Sequence, residues 1–161
     1  MQIRDEQSED RAAIRAVVTA AFGRETEADL VDWLREDGDG VISLVAVEQG
    51  VIAGHVLFSP MTAPFRALGL GPVAVLPERQ RGGIGGALIQ AGLSRARENG
   101  WLGVFVLGAP DYYRRFGFET GLASGFSSPY AGPYFMALAL GEALPAPCGE
   151  VGYAPAFARL T

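Results

Sequence analysis

Gly71-Pro72-Val73-Ala74-Val75-Leu76-Pro77-Glu78-Arg79-Gln80-Arg81-Gly82-Gly83-Ile84-Gly85-Gly86-Ala87-Leu88 reads as a strand ending at Pro77, a loop, and a helix that starts among four glycines. Glycine inside a helix costs about 1 kcal/mol relative to alanine, so the cluster opposes helix formation where it stands. A tight strand-to-helix turn accounts for one or two glycines. Four of them, flanked by Gln80, Arg79 and Arg81, point to an anion site. Free N–H donors and the positive dipole end of a helix N-terminus face such a site, and glycines let a phosphate approach the backbone. Pro72, which lacks an N–H, marks a bulge or splay in the strand. Two familiar phosphate motifs fail on spacing. A P-loop needs lysine, and this chain has none; a dinucleotide fingerprint beginning at Gly83 and Gly85 meets Leu88 where its third glycine belongs.

On the N-terminal side, Gln2–Arg4 reads as a short strand, and Ser8 or Asp10 caps a helix reaching Phe22. Its apolar positions Ile14, Val17, Val18 and Ala21 recur at helical spacing. A second helix runs from Thr26, with Leu30, Val31 and Leu34 on one face, and stops at Asp37-Gly38-Asp39-Gly40. Val41–Val47 and Val51–Ser59 then form a hairpin around Glu48-Gln49-Gly50, followed by a strand over Phe65–Val75. The glycine-rich helix spans about Arg81 to Glu98. Beyond it come a buried strand at Trp101–Leu107, a short helix at Asp111–Arg115, and a strand beginning at Phe116–Glu119. A Gly/Ser/Pro-rich loop, Ser124–Pro133, precedes a late strand at Tyr134–Leu140, and the last twenty residues read as loop with a strand near Val151. Trp33 and Trp101 fit core positions. The order implies one α/β domain of the α+β type over residues 1–161, with helices flanking a mixed, largely antiparallel central sheet.

The chain has 161 residues, 18 acidic against 13 basic side chains, one His and one Cys. A single Cys148 excludes an internal disulfide framework and a Cys-based zinc site, and a single His55 disfavours a multi-His metal centre, so no metal is expected. All basic residues are arginine, which removes Schiff-base chemistry. A sequence pI near 4.9 argues against nucleic-acid binding. No apolar stretch approaches the roughly 20 residues of a membrane span, and the N-terminus runs straight into charge, the pattern of a cytoplasmic chain without membrane attachment. The acidity is concentrated. Residues 1–40 carry eleven acidic side chains and five arginines, while the remainder is nearly neutral.

Gln-x-x-Gly-x-Gly at Gln80, Gly83 and Gly85 resembles the cofactor signature of the GNAT superfamily of acyl-CoA-dependent N-acetyltransferases. Tyr112-Tyr113-Arg114-Arg115-Phe116-Gly117-Phe118, beginning 27 positions after Gly85, resembles that family's Tyr-x-x-x-Gly-Phe element. Gly54-His55-Val56 and Leu107-Gly108 through Tyr113 are similar to a bacterial subgroup whose substrates are mostly unassigned. The resemblance covers most of the chain and implies a GNAT-like fold with acetyl-CoA as cosubstrate. It also implies that backbone groups of Val73, Ala74 and Val75 bind the pantetheine arm and thioester. The segment Gln80, Arg81, Gly82, Gly83, Ile84, Gly85 and Gly86 would hold the pyrophosphate.

The implied activity is acetyl transfer to an amine of a small molecule, peptide or protein by direct attack on the thioester. Tyr113 is then the general acid for the leaving thiolate, and main-chain donors near Val75 serve the oxyanion. His55, whose ordinary pKa suits a base, is the candidate general base; the competing reading is a hydrogen-bonded core histidine. The loop Phe126–Tyr134, with Tyr130, reads either as an acceptor wall or as a surface connection. Acidic residues Asp29, Asp32 and Glu36 suggest a cationic acceptor. An acyl-CoA sensor with little turnover, and a transferase for longer acyl chains, are the alternatives. The late strand is compatible with a monomer or a homodimer.

Overall fold

The two long β-branched runs pair as the hairpin that organises the sheet. In the computed structural model, which describes residues 1–160, the strands are β1 (Gln2–Asp5), β2 (Ile42–Glu48), β3 (Val51–Pro60), β4 (Ala67–Val75), β5 (Gly103–Leu107), β6 (Phe126–Ser127), β7 (Phe135–Ala139) and β8 (Gly149–Glu150). The helices are α1 (Arg11–Phe22), α2 (Thr26–Glu36), α3 (Ile84–Glu98), α4 (Pro110–Tyr113) and α5 (Thr120–Ala123). A six-stranded sheet runs β1-β2-β3-β4-β5-β7, and β6 pairs with β8 in a separate two-stranded sheet. Every neighbour in the large sheet is antiparallel except β4 and β5, which are parallel because α3 carries the chain back between them.

Period-two alternation sends side chains to opposite faces. Leu44, Val56, Phe58, Leu68, Val104 and Met136 meet Leu88, Ile89 and Leu93 of α3 on one face. Val45, Leu57 and Ala74 meet Ile14, Val17 and Val18 of α1 and Leu30, Val31 and Leu34 of α2 on the other. Farther along that second face only the one-turn helix α5 is available. Phe105, Phe135 and Ala137 are covered instead by Phe126, Ala123 and Val151.

The fold has the expected mixed, largely antiparallel sheet with flanking helices, and it departs from the sequence reading at several joints. The segment Phe116–Glu119 is not a strand. A 3₁₀ turn over Arg114–Phe116 ends at Gly117 in the left-handed region, and only Glu119 bridges to Ala137, before α5. The late loop contains β6, and a 3₁₀ turn at Pro155–Arg159 ends the chain's last described segment, where Ala154 and Ala156 pack into the α1/α2 core. Trp101 and Trp33 are half-buried rather than core. Their faces are covered by guanidinium groups, Arg66 at 4.0 Å and Arg159 at 5.4 Å from the ring centroids, an arrangement that leaves the indole edge wet.

A polar cluster is sealed beneath the helices. Arg35 donates from Nε and Nη2 to Glu6 (2.8 and 2.9 Å), Ser43 Oγ donates to Glu6 Oε1 (2.7 Å), and Ser43 Oγ lies 2.8 Å from His55 Nε2. The single hydroxyl proton of Ser43 goes to Glu6, so His55 Nε2 carries the proton and donates. The other nitrogen, Nδ1, is buried without a partner among the described residues. Burial drives the His55 pKa down to about 4; the nearby Glu6 carboxylate opposes this and Arg35 adds to it. For Glu6, burial raises the pKa, but the hydrogen bonds from Arg35 and Ser43 outweigh it and hold the group below its ordinary value.

The sign of the pH effect follows from the depressed folded-state pKa of His55. Its contribution is fully present above the unfolded value near 6.5 and is lost as pH falls toward about 4. At ~1.36 kcal/mol per pKa unit the loss amounts to roughly 3 kcal/mol. His55 is the sole histidine, so its imidazole proton resonances report directly. They are expected to stay at their neutral positions from pH 8 to about 5.5, while urea midpoints are flat with respect to this group above about pH 6.5 and fall below it toward about pH 4. A titration centred near the ordinary value would contradict the buried, neutral assignment.

Candidate active site

The site begins where β4 and β5 stop pairing. Their parallel ladder covers only Ala67, Leu68 and Gly69 against Gly103, Val104 and Phe105. Beyond it β4 continues to Val75 with no strand on that edge. A register shift accompanies the opening. Leu70 faces Phe58, but Val73 faces Val56, so β4 holds one more residue than β3 across Gly71-Pro72. Such a bulge bends and re-aims the strand.

Main-chain direction along this open edge is readable from two hydrogen bonds. Leu76 N donates to Ala53 O of β3 at 2.9 Å, and Gln80 Nε2 donates to Val75 O at 3.1 Å from outside that ladder. Successive residues of a strand point their N–H and C=O to opposite sides. The main-chain groups of Val73 and Val75 therefore face the open edge, and those of Ala74 face β3. Ala74 also turns its side chain into the α1/α2 core. Of the three strand residues expected to contact a ligand, Val73 and Val75 are presented and Ala74 is not.

A cleft of about 670 Å³ follows this edge to the start of α3. Val73, Val75, Gln80, Arg81, Gly83, Ile84, Gly85 and Gly86 line it, while Gly82 lies exposed in the loop beside it. The helix starts at Ile84, three residues later than Arg81, because Arg81 (φ 67°) and Gly83 (φ 89°) both adopt the left-handed region. Gly83 is the N-cap, and no side chain caps the first turn. A helix of this length with free first-turn N–H groups presents donors and positive potential to the cleft. For a non-glycine residue the conformation of Arg81 is costly, and backbone strain of this kind clusters at ligand-holding loops.

Arg79, Arg81 and Arg115 supply the charge of the cleft. Arg79 is tied to Glu48, whereas Arg81 and Arg115 have no carboxylate partner among the described residues. Sequence reasoning did not assign Arg115, although it lies inside the aromatic motif. The structure stacks it 5.1 Å from the Tyr112 ring centroid, which aims a guanidinium across the cleft from α3. A free helix N-terminus, an unhindered glycine backbone and two unpaired arginines fit a pyrophosphate-bearing ligand.

Tyr113 stands at the opposite wall, on α4. The Tyr113 ring lies directly over Gly108, where a Cβ would come within 2.4 Å of Cε2, so glycine is required there. Tyr112 and Phe118 meet the ring edge-on at 5.1 and 5.8 Å. Burial pushes the phenol up to about 12, with Tyr112 adding to the shift, so the group keeps its proton at neutral pH.

A second cavity of about 370 Å³ opens beside the first. Phe22, Val73 and Tyr113 line both, and their shared wall is the place where two substrates can meet. Glu27 of α2 and Leu70 and Gly71 of β4 contribute to the second cavity, together with Tyr130, Tyr153, Phe157 and Leu160 from the C-terminal part of the chain. Tyr130 lines this cavity while remaining exposed, so its loop is a surface connection that also borders the cavity. No sequence signal marked Glu27, Tyr153, Phe157 or Leu160, because their convergence depends on how residues after β7 cross the second face of the sheet.

Two expectations are corrected by this geometry. His55 has no exposed surface and lines neither cavity, so it is a core histidine out of reach of an acceptor amine. Asp29 and Asp32 are engaged by Arg15 (2.7 and 2.8 Å), Asp32 is shared with Arg35, and neither they nor Glu36 line the cavities. With the pairs made by Asp5, Glu6, Asp10, Glu25 and Glu27, seven of the eleven acidic side chains in the first forty residues are engaged by arginine. Among the described residues no group of three or more metal-ligating side chains occurs, and no helix is long and apolar enough to cross a membrane.

Residues 2–118 match the sequence profile of the Acetyltransferase (GNAT) family. The chain is 42% identical over 133 residues to the Escherichia coli (strain K12) protein called Uncharacterized N-acetyltransferase YjhQ, covering 77% of this chain and 73% of that one. Among solved structures, a GNAT family acetyltransferase from Brucella melitensis in complex with acetyl-CoA superposes with a TM-score of 0.83 at 42% identity, covering 97% of each chain. The GNAT family N-acetyltransferase YhbS from Escherichia coli, in complex with CoA, gives a TM-score of 0.92 at 33% identity over 99% of this chain and 93% of that one.

Proposed function

This chain belongs to the acetyltransferase (GNAT) family, and from that premise we propose that residues 1–161 act as one domain that moves the acetyl group of acetyl-CoA to a primary amine held in the second cavity. It is an acetyl-CoA-dependent N-acetyltransferase. The observation that carries the finer reading is the common wall of the two cavities, Phe22, Val73 and Tyr113.

The first-turn N–H groups of α3, with Arg81 and Arg115, bind the pyrophosphate. The outward main-chain groups of Val73 and Val75 hold the pantetheine arm as an added strand, and their N–H donors face the thioester carbonyl as negative charge develops on it. The neutral acceptor nitrogen attacks that carbonyl carbon. A carbon–nitrogen bond forms, the carbon–sulfur bond breaks, and Tyr113 gives its phenolic proton to the departing sulfur. The surplus ammonium proton passes to solvent, which also restores the phenol. This assignment needs no side-chain base, in keeping with the sealed position of His55.

Thiol release from acetyl-CoA across an amine panel, with calorimetry of CoA binding, tests the reading. Amine-dependent release of CoA is expected. Tight CoA binding with no acetylation of any amine would instead support an acyl-CoA sensor. For the cofactor cleft, Arg81→Ala and Arg115→Ala are each expected to raise the CoA Kd about tenfold, since a hydrogen bond to a charged group contributes ~1.5–3 kcal/mol. Unchanged affinity in both variants would remove these arginines from the anion site.

A further inference from the structure

We propose that the acceptor is a primary amine carried on an apolar body of one or two rings, and that Glu27 is the positioning residue that receives it as an ammonium ion, whose proton passes to solvent before the neutral nitrogen attacks. This inference rests on the transferase reading above and names the substrate class for the same site.

The walls of the second cavity are overwhelmingly apolar. Leu30, Leu70, Phe157 and Leu160 enclose it, and Tyr130 and Tyr153 add aromatic faces. Neither arginine nor histidine is among its lining residues, so nothing there can neutralise a carboxylate or phosphate on the acceptor. The side-chain polar groups are few: the Glu27 carboxylate and the phenols of Tyr113, Tyr130 and Tyr153. A polyhydroxylated or polycationic acceptor would lose its water without enough partners, whereas a ring system would bury against these walls. A volume of about 370 Å³ falls at the small end of the range for small-molecule sites.

Glu27 is the one carboxylate lining either cavity among the described residues. Its side chain is only 14% exposed, and it receives a fork from Arg24 Nε and Nη2 at 2.9 and 2.6 Å. Those hydrogen bonds outweigh burial and hold the carboxyl below its ordinary pKa, so it is ionised at neutral pH. A carboxylate has about four lone-pair sites, and the Arg24 fork occupies two. The remaining pair suits an ammonium. Arg24 itself is 63% exposed, lies outside the cavity, and orients Glu27 without lining the site.

Tyr153 fixes the aromatic side of the cavity, packed against Tyr130 and Phe157 at 5.4 and 5.0 Å between ring centroids. The ring lies against Gly69, where a Cβ would come within 2.7 Å of it. The hydroxyl is buried with no hydrogen-bond partner among the described residues, and burial, with Tyr130 and Tyr113 nearby, raises its pKa. An unpaired buried hydroxyl costs about 1–3 kcal/mol. Tyr130, Tyr153, Phe157 and Leu160 all follow residue 118, where the family match ends, so the aromatic side of this cavity lies outside the segment that defines the family, while Glu27, Leu30 and Leu70 lie within it.

The experiment compares phenethylamine and tryptamine with spermidine and glucosamine in the thiol-release assay, in wild type and Glu27→Gln. The aromatic amines are expected to show at least ~10-fold higher kcat/KM, and Glu27→Gln to raise their KM about tenfold while the KM for acetyl-CoA stays the same; a tenfold change corresponds to ~1.4 kcal/mol. Competitive inhibition by the neutral isostere 2-phenylethanol reports the apolar walls alone and is expected to be equal in both proteins. Preferred turnover of spermidine or glucosamine would overturn the substrate class and leave the transferase reading intact. An unchanged amine KM in Glu27→Gln, or weakening of 2-phenylethanol in parallel with the amines, would overturn the role of Glu27. No turnover of any amine, with CoA still bound, would overturn both readings.

Discussion

Tyr113→Phe is expected to lower kcat by about 100-fold or more, within the ~10²–10⁴-fold range typical of a positioned general acid. The substitution removes one oxygen and keeps the ring over Gly108, so the CoA Kd should move less than about twofold. A phenol pushed up to about 12 keeps its proton, so the wild-type pH–rate profile should show no falling limb at the ordinary tyrosine value of about 10. Leaving-group dependence separates proton donation from packing. An acetyl thioester of an acidic aromatic thiol leaves without help, and Tyr113→Phe should impair that substrate much less than acetyl-CoA. Equal losses on both thioesters would assign Tyr113 to shape alone.

Gly92→Ala sets helix propensity against packing. Alanine is favoured over glycine inside a helix by ~1 kcal/mol, so local preference predicts a stabilised α3. The core predicts the reverse. A Cβ at Gly92 would lie 2.1 Å from Cε1 and 2.6 Å from Cζ of Phe58, a ring with no exposed surface. Overpacking of a filled core costs typically 1–3 kcal/mol, and contact this close belongs at the upper end. A net loss of about 2–3 kcal/mol in urea unfolding is expected. Phe58→Leu combined with Gly92→Ala should be more stable than the sum of the two single losses, since the smaller side chain vacates the contested space. A stabilised Gly92→Ala would mean that α3 and β3 are not held at this distance, and with them the mouth of the cofactor cleft.

Much of the fold was legible because it depends on local pattern. Helical spacing in Ile14–Ala21 and Leu30–Leu34, the β-branched hairpin and the glycine-rich entry to α3 each state their structure within a dozen residues. The joint after Tyr113 was not. Phe116-Gly117-Phe118 has strand-like composition, but Gly117 takes the left-handed region and Phe118 is drawn fully into the core, which leaves Glu119 alone to bridge β7. Three-dimensional packing prevailed over β propensity there.

The site divides in the same way. A ligand gripped by consecutive backbone groups leaves a contiguous trace, so the anion loop and the tyrosine motif could be read from the chain alone. Even so, the order of residues did not say which of Val73, Ala74 and Val75 faces the ligand, because that depends on the register of β4 against β3. Side-chain roles were harder still. His55 has the intrinsic pKa of a base, and only burial beneath α1 and α2 removes it from the chemistry. The acidic first forty residues looked like an acceptor field, and only the positions of Arg4, Arg15, Arg24, Arg35 and Arg95 show seven of the eleven acidic side chains engaged in ion pairs. By itself, then, the sequence determined the family and pointed to a candidate cofactor loop and a candidate acid, because each rests on residues close together along the chain. Tertiary structure alone decided the proposed acceptor cavity, which Glu27 lines together with Tyr153 and Phe157 across more than a hundred residues, since no local rule governs which distant side chains a folded sheet brings to one wall.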